Sequence, residues 1–140
     1  MGRTEYGESL LLDCMLDISD LPSMYLALTS SEPTAFDTGS TITEPLDSAY
    51  GRKTIGVGTS NWTTSESGIS LYKNLLTYTE ATEDWPVITH WALLTASTAG
   101  SIIMWGNFTT PQSVLTGQTM TIPANTLGLS VASPEANLIN

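Results

Sequence analysis

At 140 residues the chain has the length of one domain, enough to enclose a core. Fourteen Asp and Glu against four Lys and Arg give a net charge of −10, which argues against nucleic acid or an anionic membrane as partner. The cations are Arg3, Arg52, Lys53 and Lys73, only Arg52 and Lys53 being adjacent, and the single cysteine, Cys14, can form no intrachain disulfide.

The N-terminal text "MGRTEYGESLLLDCMLDISD" is apolar in part. Asp13 and Asp17 interrupt it and no small-residue cleavage site follows, so no secretory signal is expected. No segment reaches the roughly 18 continuous apolar residues of a membrane span. Over residues 9–19, Leu11, Met15 and Ile18 fall at i, i+4 and i+7, widened by Leu12 and Leu16, which predicts a short amphipathic helix ended by Asp20 and Pro22. Such a stripe needs a cover, either the rest of the domain or a neighbouring subunit. Cys14, among apolar neighbours, reads as a small buried hydrophobe.

After Pro22, β-branched and aromatic residues cluster in short runs bounded by Gly, Pro, Asn and Ser, the pattern of many short strands. The first is 23–29, with Met24, Leu26 and Leu28 alternating against Tyr25 and Ala27. Further strands are expected over 49–58, 68–81, 87–96, 100–108, 118–124 and 126–132. The fourth and fifth should be joined by a turn at "STAG", and Pro123 suggests an edge or a turn between the last two. The polar, turn-rich stretch 29–48 reads as a surface loop or arm. No run after Pro22 has helical period, so parallel crossover units are not expected. The fold class is therefore mainly β: an antiparallel β-sandwich or partly open barrel of about seven strands with one short N-terminal helix. The division is an N-terminal arm and helix over 1–22, a β-sandwich domain over 23–132 and a C-terminal tail over 133–140.

Chemistry is sparse. His90 is the sole histidine. It alternates with Trp91, so the two point to opposite faces, and no nucleophile motif accompanies it. A structural or interface role is expected. One His and one Cys, far apart in sequence, argue against a zinc site, and no EF-hand-like acidic loop occurs. "IGVG" (55–58) precedes no helix and is no phosphate cradle. Asn61-Trp62-Thr63 and Asn107-Phe108-Thr109 match the glycosylation triplet by chance in a Thr-rich chain. Trp62, Trp85, Trp91 and Trp105 lie on separate segments; Trp91 and Trp105 are expected in the core, and Trp85, before Pro86, nearer the surface.

The order of short motifs resembles a family of small tailed-bacteriophage virion proteins labelled tail fibre-like or minor structural. The matching text is "LLLDCML", "MYLALTSSEPT", "SAYGRKTIGV", "NW" and then "TEDWPVITHWALLTASTAGSIIMWGNFTTPQSVLTGQTMTIPANTLGLSV". The departures are "TASTAGS" at 95–101, where the family carries a "DA.TGG" turn, and Gly51, where it tends to have Ala.

The resemblance implies a non-enzymatic virion structural protein without catalytic, metal or cofactor residues. Its implied partners are other virion proteins, the major capsid protein or tail and neck proteins, and a homo-oligomer or symmetric array is expected. Capsid decoration on the head exterior is the leading placement, with a tail- or fibre-associated protein as alternative and a carbohydrate-binding module as a third reading. The parts expected to meet a partner are the loop 30–48, the tail 133–140 and the residues Leu11, Met15, Ile18, Arg52, Lys53, Trp85, Leu138 and Ile139. Arg52 pairing with a carboxylate of its own domain is the competing expectation for that residue.

Overall fold

The alternation of Met24, Leu26 and Leu28 is strand in the computed structural model, which describes residues 24–56, 60–63, 69–129 and 138–139. The helix expected over 9–19, with Leu11, Met15 and Ile18, lies outside the described residues. Among those described the chain is mainly β and holds no helix. In chain order the strands are β1 (Met24–Thr29), β2 (Lys53–Ile55), β3 (Ser70–Leu71), β4 (Leu76–Thr77), β5 (Ile88–Leu94), β6 (Ile102–Gln112), β7 (Thr121–Ile122), β8 (Gly128–Leu129) and β9 (Leu138–Ile139).

Five of them form one sheet in the order β2-β1-β5-β6-β9. Its pairs are antiparallel except β6 with β9, where Asn107 and Phe108 lie opposite Leu138 and Ile139 in parallel. Leu138 and Ile139, assigned from sequence to a separate tail, thus join the edge of the domain's own sheet.

The β5–β6 hairpin forms where the sequence places it. Its turn closes through Thr95 N–H to Ser101 O (3.1 Å) and Ser101 N–H to Thr95 Oγ1 (3.0 Å). Ala99 and Gly100 take φ of 50° and 80° there, a backbone that glycine adopts without steric cost. Opposite the step from Leu93 to Leu94, β6 advances from Met104 to Ile102. The extra residue, Ile103, is a β-bulge that resets which side chains face the core.

The last two of the strands expected from sequence do not pair with each other across Pro123: β7 pairs with β4, and β8 with β3. Residues 70–77 and 121–129 therefore run antiparallel as one interrupted ladder. The interruption is held by Tyr72 N–H to Leu127 O (2.9 Å) and Asn125 N–H to Tyr72 O (2.8 Å). Pro123, lacking an N–H, and Asn125, at φ 63°, break the ladder locally without reversing the chain. The bridge of Trp62 with Tyr72 adds a further segment beside it.

One core is shared by sheet and ladder. Met24, Leu26 and Leu28 of β1, Ile55 of β2 and Ile88, Trp91 and Leu93 of β5 cluster with Trp62, Tyr72, Leu76, Tyr78, Ile122 and Leu129. The buried Tyr78 hydroxyl donates to Leu26 O (2.8 Å), tying the ladder to the sheet. The opposite face of the sheet is smaller: Ala27, Ala92 and Leu94 are buried there against Ile42, Ile102 and Trp105. His90 and Trp91 do point to opposite faces, Trp91 being fully buried and His90 partly exposed.

Candidate docking site

The stretch 30–50 is irregular in backbone yet densely bonded. Its Thr, Ser and Asp side chains cap its own turns, as such residues do. Asp37 accepts hydrogen bonds from Thr34 N–H (2.8 Å), Thr34 Oγ1 (3.0 Å) and Thr41 Oγ1 (2.7 Å). These bonds, that from Thr41 foremost, hold its carboxyl below the usual range. Ser30 N–H to Thr43 O (3.0 Å) draws the two limbs of the loop together.

Three anchors fix this loop to the body. At the first, Gly39 N–H donates to Gly100 O at 2.9 Å. The approach is so close that a Cβ on Gly39 would sit 1.8 Å from Ala99 O, so only glycine fits.

Arg52 is the second anchor, and all five of its guanidinium donors are engaged. Nε and Nη2 grip the two oxygens of Glu44 at 2.9 and 2.8 Å. Nη2 also reaches Gly39 O (2.9 Å), and Nη1 reaches Ala96 O (2.9 Å) and Ala99 O (2.8 Å). The Arg52 side chain is 3% exposed. The Tyr50 hydroxyl donates to Glu44 Oε1 (2.7 Å) and accepts from Leu28 N–H (3.0 Å), so the network reaches β1.

Asp47 is the third. Its buried carboxylate accepts from Ala49 N–H (3.0 Å), Thr82 N–H (2.8 Å), the Thr82 hydroxyl and the Trp85 indole N–H (2.9 Å). The hydrogen bond from Thr82 leads in holding its carboxyl far below the usual range. Trp85 in turn packs edge-on against Tyr50 and Tyr78, with ring centroids 5.5 and 6.3 Å away. Burial, first among the causes, raises both tyrosine hydroxyls above their ordinary range and keeps them neutral.

Held this way, the loop presents Phe36 and Leu46 to solvent, 95% and 96% exposed. Between the loop and the β5–β6 turn lies an open cleft of about 610 Å³, lined by Ile42, Pro45, Leu46, Pro86 and Thr98 among others. The charged residues that line it, Glu44 and Arg52, pair with each other, and the other described acids lie in the loop and in the segment that Asp47 holds against it. Every described acidic residue falls in 32–47 or 80–84: Glu32, Asp37, Glu44 and Asp47, then Glu80, Glu83 and Asp84. The cation among them, Arg52, is already fully hydrogen-bonded.

Of the residues expected to meet a partner, Arg52 is thus engaged inside its own domain, in line with the competing expectation. Trp85 is 5% exposed, not a surface residue, because Asp47 draws its indole N–H inward. Lys53 is half-buried with Nζ 5.7 Å from the centre of the Tyr78 ring, a cation–π distance. The backbones of Leu138 and Ile139 pair with β6. Leu11, Met15 and Ile18 lie outside the described residues. The loop over 30–48 is among the segments expected to meet a partner, but Phe36, Leu46 and the cleft are not singled out within it; a large apolar residue alone in a polar, turn-rich stretch is the signal for them.

The described residues gather little catalytic chemistry. His90 Nδ1 meets Thr89 Oγ1 at 2.8 Å. Desolvation lowers its pKa, partly opposed by Glu32. Among the described residues no group of three or more His, Cys, Asp or Glu is placed to hold a metal, and no helix is long and apolar enough to cross a membrane.

Residues 2–130 match the family described as Podophage GP4 fiber I protein gp80, so the chain belongs to that phage fibre protein family. No curated protein matches it.

Proposed function

We propose that this member of the podophage fibre family is a tail- or fibre-associated structural protein, working by binding other virion proteins without catalysis or cofactor. The family match over nearly the whole chain carries the reading. A rigid loop that offers apolar side chains beside an open cleft agrees with a binding role. The capsid-decoration placement draws no specific support from a family described as a fibre protein. A carbohydrate platform of several tryptophans draws no support, since Trp62, Trp85 and Trp91 are buried and Trp105 is half-buried against the smaller core. Assembly into a homo-oligomer or symmetric array belongs to the same proposal.

The test is fractionation of purified particles. Heads separated from tails and fibres, each probed by quantitative mass spectrometry, should leave the protein with the tail and fibre fraction. Recovery with tail-free heads would overturn the placement in favour of decoration. Absence from particles would overturn the virion role itself.

A further inference from the structure

We infer that the loop over residues 30–48 and its cleft form a docking site for a different virion protein, one that inserts an apolar side chain and surrounds it with Lys or Arg. The inference rests on the virion reading above and adds the surface and the chemistry of the partner.

Three observations converge on it. Phe36 and Leu46 are almost wholly solvent-exposed, and Leu46 lines the cleft. Single exposed apolar residues are ordinary on a protein surface. Here they stand on a loop pinned by Arg52, Asp47 and Gly39, so little conformational freedom remains to be lost on binding. The open cleft of about 610 Å³ beside Leu46 has room for an apolar side chain of a partner.

Charge selects the class of partner. Glu80 and Glu83 are exposed on the segment that Asp47 holds against the loop, and Glu32 is exposed on the loop itself. With the Arg52 guanidinium fully paired to Glu44 and three carbonyls, a basic rim on the incoming surface is complementary. A second copy is disfavoured as occupant, since it would bring the same exposed Glu32, Glu80 and Glu83 and another net charge of −10.

The experiment complements a phage lacking this gene with variants supplied in trans and measures the protein per particle. Phe36→Ser and Leu46→Ser should each cut incorporation by about tenfold, as loss of a central interface anchor does. Both should melt like wild type when purified, because these side chains support nothing within the fold. Leu75→Ser, which removes an apolar residue that is 62% exposed between β3 and β4, should incorporate normally. The Glu80→Gln/Glu83→Gln variant should bind particles lacking the protein more weakly at low salt and converge on wild type as salt rises.

Wild-type incorporation of both Ser variants would overturn the docking site while leaving the virion role standing. Salt-independent binding identical for wild type and the Gln variant would overturn the basic rim. Sedimentation analysis covers the other occupant: self-association of the purified chain that Leu46→Ser abolishes would replace the foreign partner by a second copy and refute the proposal.

Discussion

Replacing Arg52 by Met keeps most of the aliphatic stem and removes the guanidinium, which leaves Glu44 with only the Tyr50 hydroxyl as donor and takes the Arg52 donor from the carbonyls of Gly39, Ala96 and Ala99. Hydrogen bonds to a charged group are worth about 1.5–3 kcal/mol each, but five in one cluster do not add. The carbonyls at the β5–β6 turn can recover water. The closer guide is loss of one partner from a buried ion pair, about 3–5 kcal/mol. It applies because the two side chains are only 3% and 18% exposed. For a chain of this length that is a fall of roughly 10–20 °C in melting temperature. Arg52→Lys keeps the charge but offers at most three donors and no planar fork, so its loss should lie between wild type and Met. Urea titration of both variants gives the magnitudes. Hydrogen exchange gives the location, since the Ser30 and Gly39 amides should lose protection before those of β1 and β5. An Arg52→Met protein within about 1 kcal/mol of wild type, with Gly39 still protected, would refute the view that this residue holds the loop.

Gly39→Ala should destabilise the chain strongly and release the loop from the β5–β6 turn, because its Cβ would overlap Ala99 O; a melting temperature equal to wild type would show that the two segments can separate without cost. Stability should also fall with acid. Asp37, Asp47 and Asp84 all have folded-state pKa values below those of the unfolded chain, so the unfolded state binds more protons there, and stability present above about pH 5 is lost as pH falls towards 2. Asp47→Asn should be less stable than wild type at pH 7 and lose less on acidification, whereas an unchanged pH slope in melting curves would exclude Asp47 as a source of the effect.

The strands of the main sheet were legible because their apolar period is local. Met24, Leu26 and Leu28 announce one buried face within a single strand, and the "STAG" turn announces the β5–β6 hairpin. Pairing in the ladder was not legible. Periodicity says which face of a strand is buried but not which strand lies beside it, and Ser70 meets Leu129, 59 positions further along the chain. The segment around Pro123 carries the composition of an edge or a turn, and its place in a continuing ladder shows only in Tyr72 bonding both Asn125 and Leu127. The bulge at Ile103 likewise leaves no mark in an unbroken apolar run.

The site shows a subtler failure. Residues 29–48 read as a surface loop or arm because they are polar and turn-rich, yet the same polarity is what fixes them. Backbone groups in a loop lack the partners that a ladder supplies and must find them elsewhere; Asp37, Thr34 and Thr41 provide them locally, and Arg52, Asp47 and Gly39 provide them from the body. A basic residue on an acidic chain suggested an interface for the same reason that it became a staple: Arg52 is the cation that folds in beside Glu44. Trp85 moved inward by the same logic, its one polar atom satisfied by a carboxylate 38 residues earlier. Once these groups are accounted for inside the fold, the large side chains the loop leaves outside are Phe36 and Leu46. Nothing in the loop's own stability requires them to be apolar, so their chemistry is free to serve whatever the loop meets.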